Sequence, residues 1–161
     1  MIIRAVADKD HDGVHAILAS DQVIQGSMRV PFAPLWQTKE RLTSRRGVHQ
    51  VVAETEGMVI GFCELITYPD EPRHRHVAEL NLLATHPDWC NRGVGRTLAL
   101  KMIDLAESWM NISRISLVVF VDNDHAIKLY TSLGFSIEGT MRGYAYRAGS
   151  CIDAHVMARV R

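Results

Sequence analysis

The chain has 161 residues, of which 47% are hydrophobic and 22% are charged, a balance that is typical of a globular domain. This composition excludes a disordered tail and a fibrous repeat. The 18 Lys and Arg residues balance 18 Asp and Glu residues, so no net charge attracts the protein to nucleic acid or to an anionic membrane. We therefore expect one domain over residues 1–161, without nucleic-acid or membrane partners.

The cysteines and histidines indicate neither a disulfide framework nor a metal site. Cys63, Cys90 and Cys151 are few and scattered, and no C-x-x-C motif is present. The eight histidines have no ligand cluster beside them. The first residues lack the apolar segment of a signal peptide, and no stretch is long and apolar enough to cross a bilayer. We therefore expect a cytoplasmic protein that binds no metal.

The first half of the chain predicts four strands and two helices. The strands are rich in β-branched and aliphatic residues, and we place them at 2–7, 48–55, 58–68 and about 75–85. Asp8 is a candidate N-cap for the first helix. The second helix lies near 35–45, after a loop at 26–36 that contains two prolines. The Glu56-Gly57 pair predicts a tight turn between antiparallel strands.

The second half contains the clearest helix, because its apolar residues follow a helical period. That apolar stripe consists of Val94, Leu98, Met102, Leu105 and Trp109. A buried strand is predicted at 115–121, a helix at 123–133 that ends at Gly134, and two strands at 135–146 and 151–160. Together the elements predict an α/β (α+β) fold with a mixed central sheet of about seven strands and helices on both faces.

A glycine-containing turn, Asn91-Arg92-Gly93-Val94-Gly95-Arg96, joins the fourth strand to this helix. The backbone N–H groups of such a turn and the helix dipole point to one place, where a phosphate can bind. A lone pair of glycines is equally typical of a plain strand-to-helix turn. A Rossmann loop would need a glycine where Leu98 stands, and the Gly-Lys-Ser/Thr of a Walker loop is absent. The remaining candidates are ligands with a pyrophosphate of another kind.

A second pattern lies on the helix at 123–133. Asn123 stands at the N-cap position, where Asn is common for structural reasons alone. Tyr130 follows two turns later on the same side of the helix. Seen alone, it is equally typical of a core aromatic residue whose hydroxyl is satisfied.

In combination, these patterns resemble the GNAT superfamily of acetyl-CoA-dependent N-acetyltransferases. The shared features are a strand that leads to Pro87, Gly93-x-Gly95 at a helix start, Asn123 with Tyr130, and Gly134-Phe135. Four further stretches are similar to a bacterial branch of L-amino-acid N-acetyltransferases, namely 75–79, 119–123, 137–140 and 153–160.

The resemblance implies transfer of an acetyl group from acetyl-CoA to a primary amine of a small molecule, with an L-amino acid as the expected acceptor. The residues that it assigns to the cofactor are Leu82, Leu83, Ala84, Asn91, Arg92, Gly93, Val94, Gly95, Arg96, Asn123 and Tyr130. It also implies that Tyr130 is the general acid that protonates the departing thiolate. Cys90 departs from the family pattern, which usually has Gln or Arg at this position, so one cofactor contact is expected to be weaker.

The reacting amine needs a base, because an ammonium of the lysine type with a pKa near ~10 is protonated at neutral pH. Glu79, on the strand before the glycine turn, is the candidate base through a water molecule, and Glu64 is the reserve. The alternative role for Glu79 is a solvent-facing carboxylate or an ion-pair partner of Arg75. Candidate acceptor-binding residues are Met28, Phe32, Arg75 and Tyr144, of which the arginine would pair with a carboxylate.

Two alternatives to a small-molecule acetyltransferase stay open at this stage. The acceptor could be a protein N-terminus or lysine, which an open groove with acidic walls would favour. The chain could also bind CoA as a non-catalytic sensor, although the presence of both Tyr130 and Glu79 favours an enzyme. The resemblance further implies that a homodimer can form, with the strand at 151–160 as its candidate interface.

Overall fold

The computed structural model describes residues 1–161 and contains one seven-stranded sheet. In chain order, the strands are β1 (Ile2–Ala5), β2 (Val48–Thr55), β3 (Met58–Thr67), β4 (Val77–Thr85), β5 (Arg114–Phe120), β6 (Ser136–Arg147) and β7 (Ser150–Val160). Across the sheet their order is β1-β2-β3-β4-β5-β7-β6. Neighbouring strands are antiparallel except β4 and β5, which run parallel. The predicted mixed sheet is confirmed.

Helices cover both faces of this sheet, as predicted. They are α1 (His11–Leu18), α2 (Asp21–Gly26), α3 (Leu35–Leu42), α4 (Val94–Asp104) and α5 (Asp124–Ser132). One face buries a cluster of nine residues from α1, α2, α3 and the sheet. The other buries a cluster of 20 residues, to which α4 contributes Leu98 and Met102. Each such fully buried side chain stabilises the fold by about 2 kcal/mol. None of the helices has both the length and the apolar composition of a membrane span.

The two-residue turn between β2 and β3 was predicted correctly. Glu56 and Gly57 both have positive φ, at 48° and 80°, as a tight hairpin of this kind requires. The six-residue helix α2 was not predicted, because Val23 is its only fully buried side chain. So short an element shows no period in the sequence.

Two expectations about helix ends are wrong. The chain enters α1 through a 3₁₀ turn at Asp8–Asp10, and Asp10 rather than Asp8 accepts a 2.8 Å hydrogen bond from the Ala7 N–H. Trp109 is 80% exposed, although the helical period placed it on the apolar stripe. The reason is a π-helical turn at Leu105–Trp109, which changes the period after α4 and buries Ala106 instead.

The central strands β4 and β5 separate soon after they pair. Their pairing covers only Val77–Glu79 and Arg114–Ser116, although both strands continue well beyond these residues. Asn81, two residues beyond this pairing, is the extra residue of a β-bulge in β4, since β3 pairs with Leu80 and Leu82 on either side of it and skips it. A bulge bends its strand. The backbone of β4 at 82–85 therefore has no strand partner on the side of β5.

Candidate active site

Two cavities lie where β4 and β5 separate. The larger has a volume of about 1000 Å³ and is lined by β4 at 82–85, by the start of α4 and by α5. The smaller has a volume of about 420 Å³ and lies between β4, β5 and the loop after α2. Both volumes are within the range of small-molecule sites. Residues that line both cavities are Gly26, Ser27, Leu82, Leu83, Asn123, Ala126 and Tyr130. The two spaces are therefore adjacent.

The N-terminus of α4 opens on the larger cavity. Gly93 precedes the helix with a φ of 80°, a left-handed conformation that glycine adopts without strain. The helix N–H groups at 94–96 have no carbonyl partner within the helix, whose first hydrogen bond runs from the Thr97 N–H to the Gly93 carbonyl at 2.9 Å. No side chain caps this end. The arrangement fits a pyrophosphate group, as the glycine turn predicted.

Two cations line the larger cavity near the start of α4, and one of them, Lys128, was not among the residues expected from the sequence. Arg96 lines it and donates a 2.7 Å hydrogen bond to Ser132. Arg92 does not line it, and its guanidinium lies 5.1 Å from the ring centroid of Trp89. Lys128 on α5 does line it. The sequence signal for Lys128 was its position on α5, the helix that Asn123 caps and that also carries Tyr130.

Cys90 also lines the larger cavity, at the position where the sequence departs from the family pattern. Its thiol donates a 3.1 Å hydrogen bond to Oε1 of Gln22 on α2. Gln22 lines the same cavity. Gln22 on α2 thus places a polar side chain beside the glycine turn, where the family pattern usually has one at the position of Cys90.

The helix α5 places Asn123 and Tyr130 where the cavities meet. The Asn123 side chain accepts a 3.2 Å hydrogen bond from the Ala126 N–H, which confirms the predicted N-cap. Tyr130 is 8% exposed and packs against Phe135 with ring centroids 5.8 Å apart. Burial, and secondarily the neighbouring Cys63, raises the pKa of the Tyr130 phenol. The hydroxyl therefore keeps its proton at neutral pH.

The structure separates the two candidate bases. Glu79 lines the smaller cavity and accepts a 3.3 Å hydrogen bond from the Tyr68 hydroxyl. Arg75 is not its ion-pair partner, since the Arg75 Nε donates to the Pro69 carbonyl. Glu64 is 1% exposed and lines neither cavity. Of the two carboxylates, Glu79 is the one that the fold brings to the site.

Two of the four expected acceptor-binding residues reach the smaller cavity. Met28 and Tyr144 line it. Phe32 does not, because the loop reverses there with a φ of 63° and leaves its side chain fully exposed. Arg75 lies outside both cavities, in the exposed segment that precedes β4. The arginines that do line the smaller cavity are Arg29 and Arg41, which sequence reasoning missed.

Comparisons with known proteins agree with this geometry. The sequence pattern of the Acetyltransferase (GNAT) family matches residues 14–135. The chain is 38% identical over its full length to the L-amino acid N-acetyltransferase of Escherichia coli (strain K12), of which it covers 98%. It is 27% identical to the phosphinothricin N-acetyltransferase of Alcaligenes faecalis, over 98% of this chain and 81% of that protein. The structure of spermidine N-acetyltransferase from Vibrio cholerae in complex with CoA and spermine matches with a TM-score of 0.86 at 22% identity, over 99% of this chain and 94% of that one. The chain therefore belongs to the GNAT family and is an acetyltransferase.

Proposed function

We propose that this enzyme acetylates the primary amine of a small L-amino acid, with acetyl-CoA as the acetyl donor. The proposal is supported mainly by two adjacent cavities that share Tyr130 in their lining. The larger one includes the N-terminus of α4, and the smaller one includes Glu79. One space suits a nucleotide-containing donor and the other suits a small acceptor. The full-length relative named L-amino acid N-acetyltransferase supports this class of acceptor.

The larger cavity offers the contacts that CoA needs. The N–H groups at the start of α4, together with Arg96 and Lys128, would bind the pyrophosphate. The backbone of β4 at 82–84, which has no strand partner on the side of β5, would form hydrogen bonds with the pantetheine arm. When bound, acetyl-CoA supplies an acetyl group that is activated as a thioester.

Glu79 and Tyr130 have complementary roles in the transfer. Glu79 accepts a proton from the acceptor ammonium through a water molecule, which frees the nitrogen lone pair to form the new C–N bond. A backbone N–H at 82–84 stabilises the carbonyl oxygen as it becomes negative. As the C–S bond breaks, the Tyr130 hydroxyl donates its proton to the leaving sulfur. Of the two protons that the ammonium loses, one restores Tyr130 and the other reaches solvent.

The proton transfer from Tyr130 is not driven by relative acidity. A phenol has a pKa near ~10 and a thiol near ~8.5, and burial raises the pKa of Tyr130 further. The hydroxyl first stabilises the sulfur by donating a hydrogen bond to it as negative charge develops, and the proton then moves to the sulfur as the C–S bond breaks. The irreversible formation of an amide completes the reaction.

The test is a measurement of CoA release from acetyl-CoA with L-amino acids, polyamines, aminoglycosides and short peptides as acceptors. We expect acceptor-dependent release with L-amino acids and little release with the other classes. Reactions without acceptor measure background hydrolysis, and calorimetry measures acetyl-CoA binding independently. Turnover confined to peptides would establish a protein acceptor. Binding of acetyl-CoA without turnover of any acceptor would establish a sensor, and either result would overturn the proposal.

A further inference from the structure

Arg29 is a partly buried arginine at the acceptor cavity, and two of its guanidinium nitrogens are buried without a partner. It lies in the loop between α2 and α3 and lines the smaller cavity. Its Nε and Nη2 atoms are buried and form no hydrogen bond. Buried guanidinium N–H groups nearly always have acceptors. An acceptor for them must therefore come from outside the chain.

A second arginine, Arg41 on α3, lines the same cavity with one of its donors also unused. Its Nη2 donates a 2.7 Å hydrogen bond to Glu64, whereas its Nε is buried without a partner. Glu64 is occupied by further hydrogen bonds from Gln50 and Asn81. It holds Arg41 in place and has no contact with Arg29 within hydrogen-bond distance.

The electrostatics of this corner of the cavity favour an incoming anion. Burial and the positive charge of Arg41 lower the pKa of Arg29, so both effects oppose its charged form. A negative charge bound beside Arg29 would counteract both effects and stabilise the charged guanidinium. The flat fork of a guanidinium matches the two oxygens of a carboxylate.

The same cavity carries the opposite charge at Glu79. A space lined by a carboxylate and by two guanidinium groups matches a zwitterion, whose ammonium and carboxylate have opposite charges. The wall of this cavity also includes the apolar residues Met28, Val30 and Ala33. Such a wall suits an aliphatic or aromatic side chain.

We propose that Arg29, together with Arg41, binds the α-carboxylate of the acceptor and thereby directs its α-amine to Glu79 and the acetyl group. This inference rests on the proposed function and makes it more specific, because it requires a free α-carboxylate next to the reacting amine. Polyamines lack that group. The carbonyl next to the amine of a protein N-terminus belongs to an uncharged amide, and the side-chain amine of an internal lysine has no carboxylate beside it.

The test compares each reactive L-amino acid with its carboxamide, beginning with L-methionine and L-methioninamide. The pair differs in the carboxylate alone, and the amide has the less basic and therefore more readily deprotonated amine. Intrinsic reactivity favours the amide. We expect the wild-type enzyme to reverse this order and to prefer the acid by about 100-fold in kcat/KM, mainly through KM.

Substitution of the arginine then identifies the group that recognises the carboxylate. Arg29→Gln is expected to lower kcat/KM for L-methionine by about 100-fold and for L-methioninamide by less than about threefold. Arg29→Lys, which keeps the charge but loses the fork, should lie between the two. Arg142→Gln removes an exposed arginine outside both cavities and is the matched control. Thermal unfolding verifies that each variant folds.

A readout without turnover uses N-acetyl-L-methionine, which retains the carboxylate. Its calorimetric affinity should fall in Arg29→Gln and stay unchanged in Arg142→Gln. The inference is overturned if the wild type uses acid and amide equally, or if Arg29→Gln affects both acceptors to the same extent. Failure of the proposed function differs from both results, since neither acceptor would then react. If Arg29→Gln does not fold, the wild-type preference and Arg29→Lys still decide the question.

Discussion

The side-chain amide of Asn81 donates a 2.6 Å hydrogen bond to Oε1 of Glu64. Asn81 is the extra residue of the β4 bulge, and Glu64 on β3 is 1% exposed. Side chains of a regular strand alternate between the two faces of the sheet, and the extra residue at Asn81 shifts this alternation by one position. Leu80 and Leu83, three residues apart, therefore both pack on the larger core cluster. One buried carboxylate thus stabilises the bend that separates β4 from β5 and opens both cavities.

Asn81→Ala tests the contribution of this hydrogen bond. We expect the free energy of unfolding to fall by about 1–3 kcal/mol, because the buried Glu64 carboxylate loses one of its hydrogen-bond donors. Activity should fall as well, since the bend in β4 sets the positions of Glu79 and of the strand backbone at 82–84. Urea denaturation and CoA release measure the two effects. Lys101→Ala, on the exposed side of α4, is the control and should stay within about 0.5 kcal/mol of the wild type. Unchanged stability and activity in Asn81→Ala would mean that the bulge does not depend on this bond.

Tyr130→Phe tests the general acid. The phenyl ring fits the same buried position against Phe135, so stability should change little while kcat falls by about 10²-fold. Because burial raises the pKa of Tyr130, the wild-type enzyme should show no loss of kcat from deprotonation of this phenol up to pH of about 10. Single-turnover rates across this pH range provide the measurement. A variant that retains full kcat would exclude Tyr130 as the proton donor.

Glu79→Gln tests the base. Removal of the carboxylate should lower kcat/KM by about 10²-fold at neutral pH, where the acceptor is an ammonium. The deficit should shrink as the pH rises toward the pKa of the acceptor amine, since the free amine needs no base. Tyr68→Phe is the matched control, because it removes the hydroxyl that contacts Glu79 but keeps the carboxylate. A deficit that is constant over pH would assign Glu79 a positioning role instead.

The sequence indicated the sheet, the helices on both faces, the glycine turn and the pair of Asn123 and Tyr130, because each of these has a local signal. The bulge at Asn81 has none, since it depends on Glu64 from another strand. Arg29 was missed for a related reason. An arginine between Met28 and Val30 has the character of a solvated loop residue, and only the placement of the loop over the cavity buries its guanidinium.

Gly61→Ala tests the packing of β3 against α4. A Cβ at Gly61 would lie 2.7 Å from a methyl group of Leu98 and 2.8 Å from one of Val94. Both neighbours are buried at the start of the helix that opens on the larger cavity. We expect a loss of about 1–3 kcal/mol in the free energy of unfolding, together with weaker binding of acetyl-CoA. Gly139→Ala is the control, because a Cβ there contacts no atom within 4 Å. Equal stability of the two variants would show that the helix moves away without cost.

Asp10→Asn tests the pH dependence of stability. Asp10 is 2% exposed and accepts 2.7 Å hydrogen bonds from both Nη atoms of Arg4. These bonds hold the pKa of Asp10 below its usual value. The folded protein therefore binds this proton less readily than the unfolded chain, so the stabilisation is present above pH of about 4 and is lost as the pH falls through the folded pKa.

Because Arg4 is partly exposed, we expect Asp10→Asn to cost about 1–2 kcal/mol at pH 7. The difference from the wild type in urea denaturation should decrease as the pH falls below about 4. Asp12→Asn, on the exposed side of α1, is the control for the substitution itself. A gap for Asp10→Asn that does not change as the pH falls would mean that packing of the carboxyl group, rather than its charge, stabilises this corner of the fold.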